Sequence, residues 1–259
     1  ESGLLLEDDG AYSLVASTGT DIGPGLRLDG FFAPTLNNRG DTVFTARLEG
    51  DGVTFQNDTA IVGNVGGSLE VLAREGDTVS GTDDFTFNNF ETSTFGEGVV
   101  LGGGGDIAFV ANAVGSSSGL FTVDENGTIE LIARVGEALP ELADGEVISN
   151  FSPPSINENG QVAVQVGLSG DGITFDNNRA IFAQDVDGNF QLIAREGDLL
   201  NVSNDPNSPD FRLIDNLNFV GGSGDGDGIA SGFNNLGEVA FRAEFGRQSG
   251  VFVSSLVAS

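Results

Sequence analysis

One seven-residue phrase recurs along the chain. It reads VLAREGD at 71–77, LIARVGE at 131–137 and LIAREGD at 192–198, with a worn copy, LVASTGT, at 14–20. A second phrase answers it: NNRGDTVF, GGGGDIAF, NENGQVAV and NNLGEVAF align on Gly40, Gly105, Gly160 and Gly237, which stand 65, 55 and 77 residues apart. A period of that size demands a repeat architecture in which each unit holds several strands.

Four strands are expected per unit. Strand A follows the aligned glycine (TVFTARL, IAFVANA, VAVQVGL, VAFRAEF). Its apolar residues alternate with small or polar ones, the period-two pattern of a half-buried strand. Strand B is TAIVGN, SGLFTV, RAIFAQ or SGVFVS. Strand C, at the head of the seven-residue phrase, is nearly continuously apolar, as expected of a central strand covered on both faces. Strand D is weaker and Phe-bearing (GFFAP, ISNFSPP, DNLNFV). The B–C links are tight hairpin turns and the D–A link is Asn-x-x-Gly, in which Asn and Gly tolerate positive φ. No segment has sustained helical periodicity. Meandering four-stranded units about an axis predict an all-β, four-bladed β-propeller. It forms a single domain over 1–259, with blade repeats starting near 41, 106, 161 and 238 and the last blade completed by 1–40.

The repeat is itself doubled. EGDGVTFQNDTAI at 49–61 and SGDGITFDNNRAI at 169–181 are near-copies 120 residues apart, and the long C–D links alternate in the same way. Antiparallel alternation puts the B–C and D–A turns on one face and the A–B and C–D loops on the other. The elaborated loop face is the candidate for function, since binding residues concentrate on loops held by a rigid scaffold.

Composition bounds the chemistry. Among 259 residues there are 39 acids and 10 bases, no His, Cys, Met or Trp, and a net charge of −29. The 39% hydrophobic content, with 20 Phe, is enough to bury a core. So acidic a surface repels nucleic acid and anionic membrane. No apolar run approaches the roughly 18 residues of a membrane helix. Nucleophile triads and zinc, haem or iron–sulfur sites lack their ligands. An enzyme is not expected; a carboxylate-based glycoside hydrolase is the remaining catalytic alternative. Strong acidity without Lys or Cys points to a bacterial protein outside the cytoplasm. The chain opens at Glu1 rather than Met, which a removed signal peptide explains and so does trimming.

Candidate sites follow from these patterns. Arg74, Arg134 and Arg195 should lay apolar stems along the blade and pair with Asp77, Glu137 and Asp198, or with acids of the next blade, as a blade-to-blade clamp. Calcium is the best metal hypothesis, since it takes oxygen ligands from Gly-rich acidic loops. Its candidates are Asp225 and Asp227 in GSGDGDGIA, Asp185 and Asp187 in DVDGN, and Asp51 and Asp171 in the copied GDG loops; the competing reading is that Asp-Gly pairs make turns. RGD at 39–41 falls in the D–A turn that every unit shares and reads as turn chemistry.

Strand B occurs five times, strands A, C and D four times each. GLLLED at 3–8 and GVFVS at 250–254 therefore compete for one slot in the last blade, and SLVAS at 255–259 repeats SLVAS at 13–17. The surplus strand, carrying Leu4, Leu5 and Leu6 or Val251, Phe252 and Val253, either lies as an extra edge strand or completes a blade of a neighbouring molecule.

PSINENGQVAV, then AIF, then LIAREGD resembles the exported bacterial tandem-repeat family named for its Asn-x-x-Gly-x-x-Ala-Phe motif. The resemblance spans nearly the whole chain; the second unit departs, with Gly102 in place of the Asn. Members of that family are attached to the cell surface; for this chain the resemblance implies an exported protein, and it implies no activity. The D–A–B–C order also looks like the Ser-Pro-Asp-Gly…Ala-Phe blades of periplasmic bacterial propellers. The expected function is a non-enzymatic extracellular structural or interaction protein, self-assembling into a surface layer or filament by strand donation. The alternative is a calcium-stabilised module binding surface polysaccharide.

Overall fold

The computed structural model describes residues 2–256 apart from 33, 66, 83–84, 91–97, 116 and 226–227, and every regular element among the described residues is a strand. A hairpin of β1 (Gly3–Asp8) and β2 (Ala11–Ser17) comes first. The next sheet holds β3 (Asp21–Gly23), β4 (Leu26–Phe31), β5 (Thr35–Leu36), β6 (Thr42–Gly50), β7 (Thr59–Gly63) and β8 (Glu70–Arg74), in the order β3-β4-β6-β7-β8 with β5 also on β6. The third holds β9 (Phe87–Phe90), β10 (Val99–Leu101), β11 (Ile107–Ala113), β12 (Ser118–Val123) and β13 (Ile129–Arg134), with β9 and β10 both on β11. The fourth repeats that plan with β14 (Val147–Phe151), β15 (Ser155–Ile156), β16 (Val162–Ser169), β17 (Arg179–Gln184) and β18 (Phe190–Arg195). A small hairpin of β19 (Leu199–Asn201) and β20 (Phe211–Leu213) leads to the last sheet of β21 (Asn216–Phe219), β22 (Glu238–Phe245) and β23 (Gln248–Ser255).

Every pairing is antiparallel within the sheets, and the strand order is D–A–B–C as the repeats imply. The A strands are β6, β11, β16 and β22. Two expectations about them reverse. Strand A is the covered one: Val43, Phe44, Thr45 and Ala46 are all buried, as are Ile107 through Ala111. Strand C is the edge of its sheet and only half-buried. The reason is stacking. Phe44, Ala46 and Leu48 face the first hairpin, while Val43 faces the sheet of β9–β13. In β6, β11 and β16 the large face meets the preceding sheet and the small face the following one, so Ala and Thr let neighbouring sheets approach; the large face of β22 meets the preceding sheet.

Four apolar clusters follow, one between each pair of successive sheets. The cluster between the first two large sheets is aromatic: Phe85, Phe87, Phe90, Phe109 and Phe121 contact one another edge-on, tilted or stacked, at centroid separations of 4.8 to 6.0 Å. Such rings supply much of the apolar area a core buries.

The last sheet differs from the expected closure. The strand at 250–254 takes its B slot, within β23, and among the described residues β23 pairs with β22 alone. The strand at 3–8 pairs with β2 as a separate hairpin, so among the described residues no strand of 1–40 joins the last sheet. The surplus B strand keeps its own C strand with it; residues 257–259, the rest of the repeated SLVAS, lie outside the described residues.

Candidate functional site

The seven-residue phrase works through its backbone. Gly197 donates its amide to the carbonyl of Ile214 at 2.9 Å, and Ile214 returns its own amide to the carbonyl of Asp198 at 2.9 Å. The same two bonds join Gly136 and Glu137 to Ile148, Gly76 and Asp77 to Phe87, and, in the worn copy, Gly19 and Thr20 to Leu28. Each copy thus clasps the end of a C strand to the following D segment. The turn requires positive φ, and Gly19, Gly76, Gly136 and Gly197 have φ of 86° to 91°.

The arginines tie this clasp to the loops of the same unit. Arg74 Nε donates to the carbonyl of Asn57 at 2.8 Å, and Arg134 Nε to Ser117 Oγ at 3.2 Å, with its guanidinium 5.6 Å from the Phe85 ring centre. Arg195 makes a two-pronged pair with Glu146, both bonds 2.7 Å. The expected partners are corrected here: among the described residues no close ion pair joins these arginines to Asp77, Glu137 or Asp198, which serve through their carbonyls; Glu137 also accepts the Arg134 backbone amide at 3.2 Å, and Asp198 acts on Arg195 as a nearby negative charge. Glu146 carried no repeat signal because only one unit has it. The Arg195 guanidinium holds the Glu146 carboxyl below the usual range against the opposing effect of burial. Burial pushes Glu196, Asp106 and Glu75 up.

The Asn-x-x-Gly turns converge. Asn157 Oδ1 accepts the amides of Asn159 and Gln161, closing its own turn, while its Nδ2 donates to the carbonyl of Asn234 in the next unit at 3.1 Å. Asn37 does the same, accepting from Arg39 and Asp41 and donating to the carbonyl of Gly102 at 3.3 Å. Asn38 donates its amide to Asp225 Oδ1 at 3.1 Å, linking the loop of the last unit to the first turn. Residues of all four turns and that loop enclose a small pocket of about 230 Å³. Gly102 breaks the motif because a Cβ there would lie 2.8 Å from the Asn157 carbonyl oxygen. Arg39 Nε pairs with Asp41 at 2.9 Å inside its turn, as turn chemistry predicts.

The calcium candidates are scattered. Asp185 accepts the amides of Asp187 and Asn189 and the side chain of Gln191, so both of its oxygens close a turn. Asp51 and Asp171 are exposed on the copied loops of different units. Asp225 sits at the first Asn-x-x-Gly turn, and Asp227 lies outside the described residues. No group of three such ligands converges among the described residues.

The surfaces left open are at the two ends of the stack. On the first hairpin Leu5, Tyr12 and Leu14 are exposed; Leu5 and Leu14 are directly paired, so they share a face. On β23, Val251 and Val253 are exposed. Leu4 packs against the following sheet, Leu6 is half-buried beside Gly40, and Phe252 packs inward on Phe241 and Phe245. Of the six residues read as an assembly surface, three therefore face outward.

A profile of the family of unknown function DUF7453 matches residues 1–259. No curated protein matches the chain. Among solved structures, the β-propeller domain of Nup133 from Vanderwaltozyma polyspora is similar over 96% of this chain and 73% of that one, at 10% identity and a TM-score of 0.30, a likeness too distant to carry an argument.

Proposed function

We propose that this chain, which belongs to the family of unknown function DUF7453, is an exported, non-enzymatic interaction protein: a four-bladed propeller that associates with copies of itself through the edges of its end sheets. The meeting of the four D–A turns, three of them Asn-x-x-Gly, at one pocket supports the four-fold ring. The Asn-x-x-Gly-x-x-Ala-Phe motif and the acidic, Lys-free and Cys-free composition support export and display outside the cytoplasm.

One observation carries the assembly reading. β23 is a B strand whose outer edge pairs with nothing among the described residues, whereas β7, β12 and β17 each hold a C strand there. The hairpin of β1 and β2 is a B–C pair without an A strand. Each of these two surfaces lacks what the other resembles, and both present apolar side chains: Tyr12 is 73% and Val251 76% exposed. An unpaired apolar edge is unfavourable in water and is a template for strand addition. A contact between the hairpin of one copy and β23 of the next is head-to-tail, and such contacts build rings or filaments.

Mass photometry and sedimentation velocity across a concentration series test this. Association should deepen with concentration and disappear in Val251→Lys/Val253→Lys and in a protein lacking residues 2–9. Those valines are exposed, so the fold should survive the double change. A protein that stays at monomer mass at every concentration, or assembly untouched by both variants, defeats the proposal.

A further inference from the structure

A second surface, independent of the strand edges, lies between the fourth and last large sheets. A cleft of about 560 Å³, within the range of small-ligand sites, is lined by Asn150, Asn178, Asn216, Asn218, Arg179 and Arg242. Its walls include β14 and β21, each paired with one strand among the described residues, and on β21 the outward amides of Leu217 and Phe219 are held by the side chains of Glu196 and Gln165, which leaves the side-chain amides to line the cleft.

The repeat shows that this cleft is built by a local departure. Position six of strand A carries Arg47, Asn112 and Glu244 in three units and Gly167 in the other. A Cβ at Gly167 would fall 2.8 Å from both Ser149 Oγ and Asn150 Cγ, and closer still to Asn150 Nδ2. Gly167 has no positive φ, so its backbone would accept a side chain. The missing side chain leaves its space to the amide and hydroxyl of the D strand.

The charges in the cleft are internally matched. Arg179 Nη1 donates to Asn216 Oδ1 at 3.0 Å and lies 3.8 Å from Glu196, and Arg242 Nη1 pairs with Glu244 at 2.9 Å. What remains is a set of amides able both to donate and to accept, which suits hydroxyl groups. The surrounding charge of −29 disfavours a polyanion. The loop that ends in Asn178 and Arg179 carries Phe175, 93% exposed. That loop is pinned: Thr174 donates its amide to Asn177 Oδ1 at 2.7 Å, and Asn177 Nδ2 donates to the Gly172 carbonyl at 3.1 Å. The same pinned loop thus supplies Asn178 and Arg179 to the cleft lining and, three residues before Asn178, a bare ring that can serve as an apolar platform.

We infer that the cleft between the fourth and last sheets, with Phe175 on the loop that supplies Asn178 and Arg179, binds a neutral polyhydroxylated ligand, a segment of uncharged glycan. The near-copied loop of the first unit is an internal control: Phe55 is 82% exposed on the same turn, with Arg47 where the cleft has Gly167.

The experiment titrates isotope-labelled protein with neutral tetrasaccharides of glucose, mannose and galactose, with oligogalacturonate as the anionic arm, following side-chain amide signals by NMR. At least one neutral probe should move the amides of Asn150, Asn178 and Asn218. Gly167→Asn should weaken that binding at least about tenfold. Asn218→Ala, an exposed change that leaves the fold intact, and Phe175→Ala should weaken it too, and Phe55→Ala should not. The inference is overturned if no neutral probe moves these amides, if oligogalacturonate binds more tightly than every neutral probe, or if both Gly167→Asn and Asn218→Ala bind as the parent does.

Discussion

Gly136 hands its amide to the carbonyl of Ile148, 2.9 Å away across the boundary between two sheets, and Gly197 does the same to Ile214 at 2.9 Å. The two glycines share a left-handed φ, at 91° and 88°, but not their surroundings. A Cβ at position 136 would meet open space, whereas one at 197 would lie 3.0 Å from Asn177 Cβ. Gly136→Ala should therefore cost about 1 kcal/mol, the penalty of a left-handed non-glycine residue. Gly197→Ala should cost more than that, because the pinned loop must also shift. Denaturant unfolding of the two variants checks the order; equal losses would mean that the packing against Asn177 is soft.

Gly102 supplies a prediction against the consensus. Restoring the motif with Gly102→Asn would ordinarily be expected to stabilise a repeat protein. Here the new Cβ would press on the backbone oxygen of Asn157, which cannot rotate away. The variant should lose about 1–3 kcal/mol, in the range of overpacked sites. A melting temperature at or above that of the parent would show that the third turn yields.

The division of labour between these positions explains what was legible. The period, the D–A–B–C order and the clasp glycines are written locally and repeatedly, so Gly76, Gly136 and Gly197 announce their turns. The burial of both faces of strand A was hidden, because Thr45 and Ala108 lie on the small or polar face and read as the open side of a half-buried strand until a neighbouring sheet is laid against them. Glu146 and Gly167 act in one unit each, and a reading that looks for sameness passes over them. The hairpin of β1 and β2 was legible as a surplus strand, but its partner was not, since hydrogen bonding within the hairpin competes with closure of the last sheet and sequence spacing ranks neither.

Asp185 separates turn chemistry from metal binding. Backbone amides, that of Asn189 foremost, hold its carboxyl below the usual range against the opposing effect of burial. With both oxygens engaged in the turn, Asp185→Ala should lower the melting temperature by the same amount in millimolar calcium and in excess chelator. A loss seen in calcium alone would instead make Asp185 a ligand.

The final prediction concerns acid. Glu146 and Arg195 are nearly covered, with side chains 8% and 14% exposed, and removing one partner strands the other without its counter-charge. Glu146→Gln should cost about 3 kcal/mol at neutral pH, the scale at which a buried pair is broken. Glu146 titrates below its ordinary value of about 4.5 in the folded chain, so its contribution is present above that value and is lost as pH falls through the folded one. Glu196, Asp106 and Glu75 have the opposite sign: raised by burial, they favour the fold below their ordinary values and lose that contribution as pH rises through the folded ones. Relief of the −29 self-repulsion acts in the same direction as these three. The parent should thus gain stability on acidification from pH 8 to about 5 and lose it below about 4. The gap between parent and Glu146→Gln should be constant above about pH 5 and shrink below it. Chemical denaturation at half-unit steps of pH gives both curves, and a gap that stays constant down to pH 3 would show that the Arg195 pair does not set the acid limb.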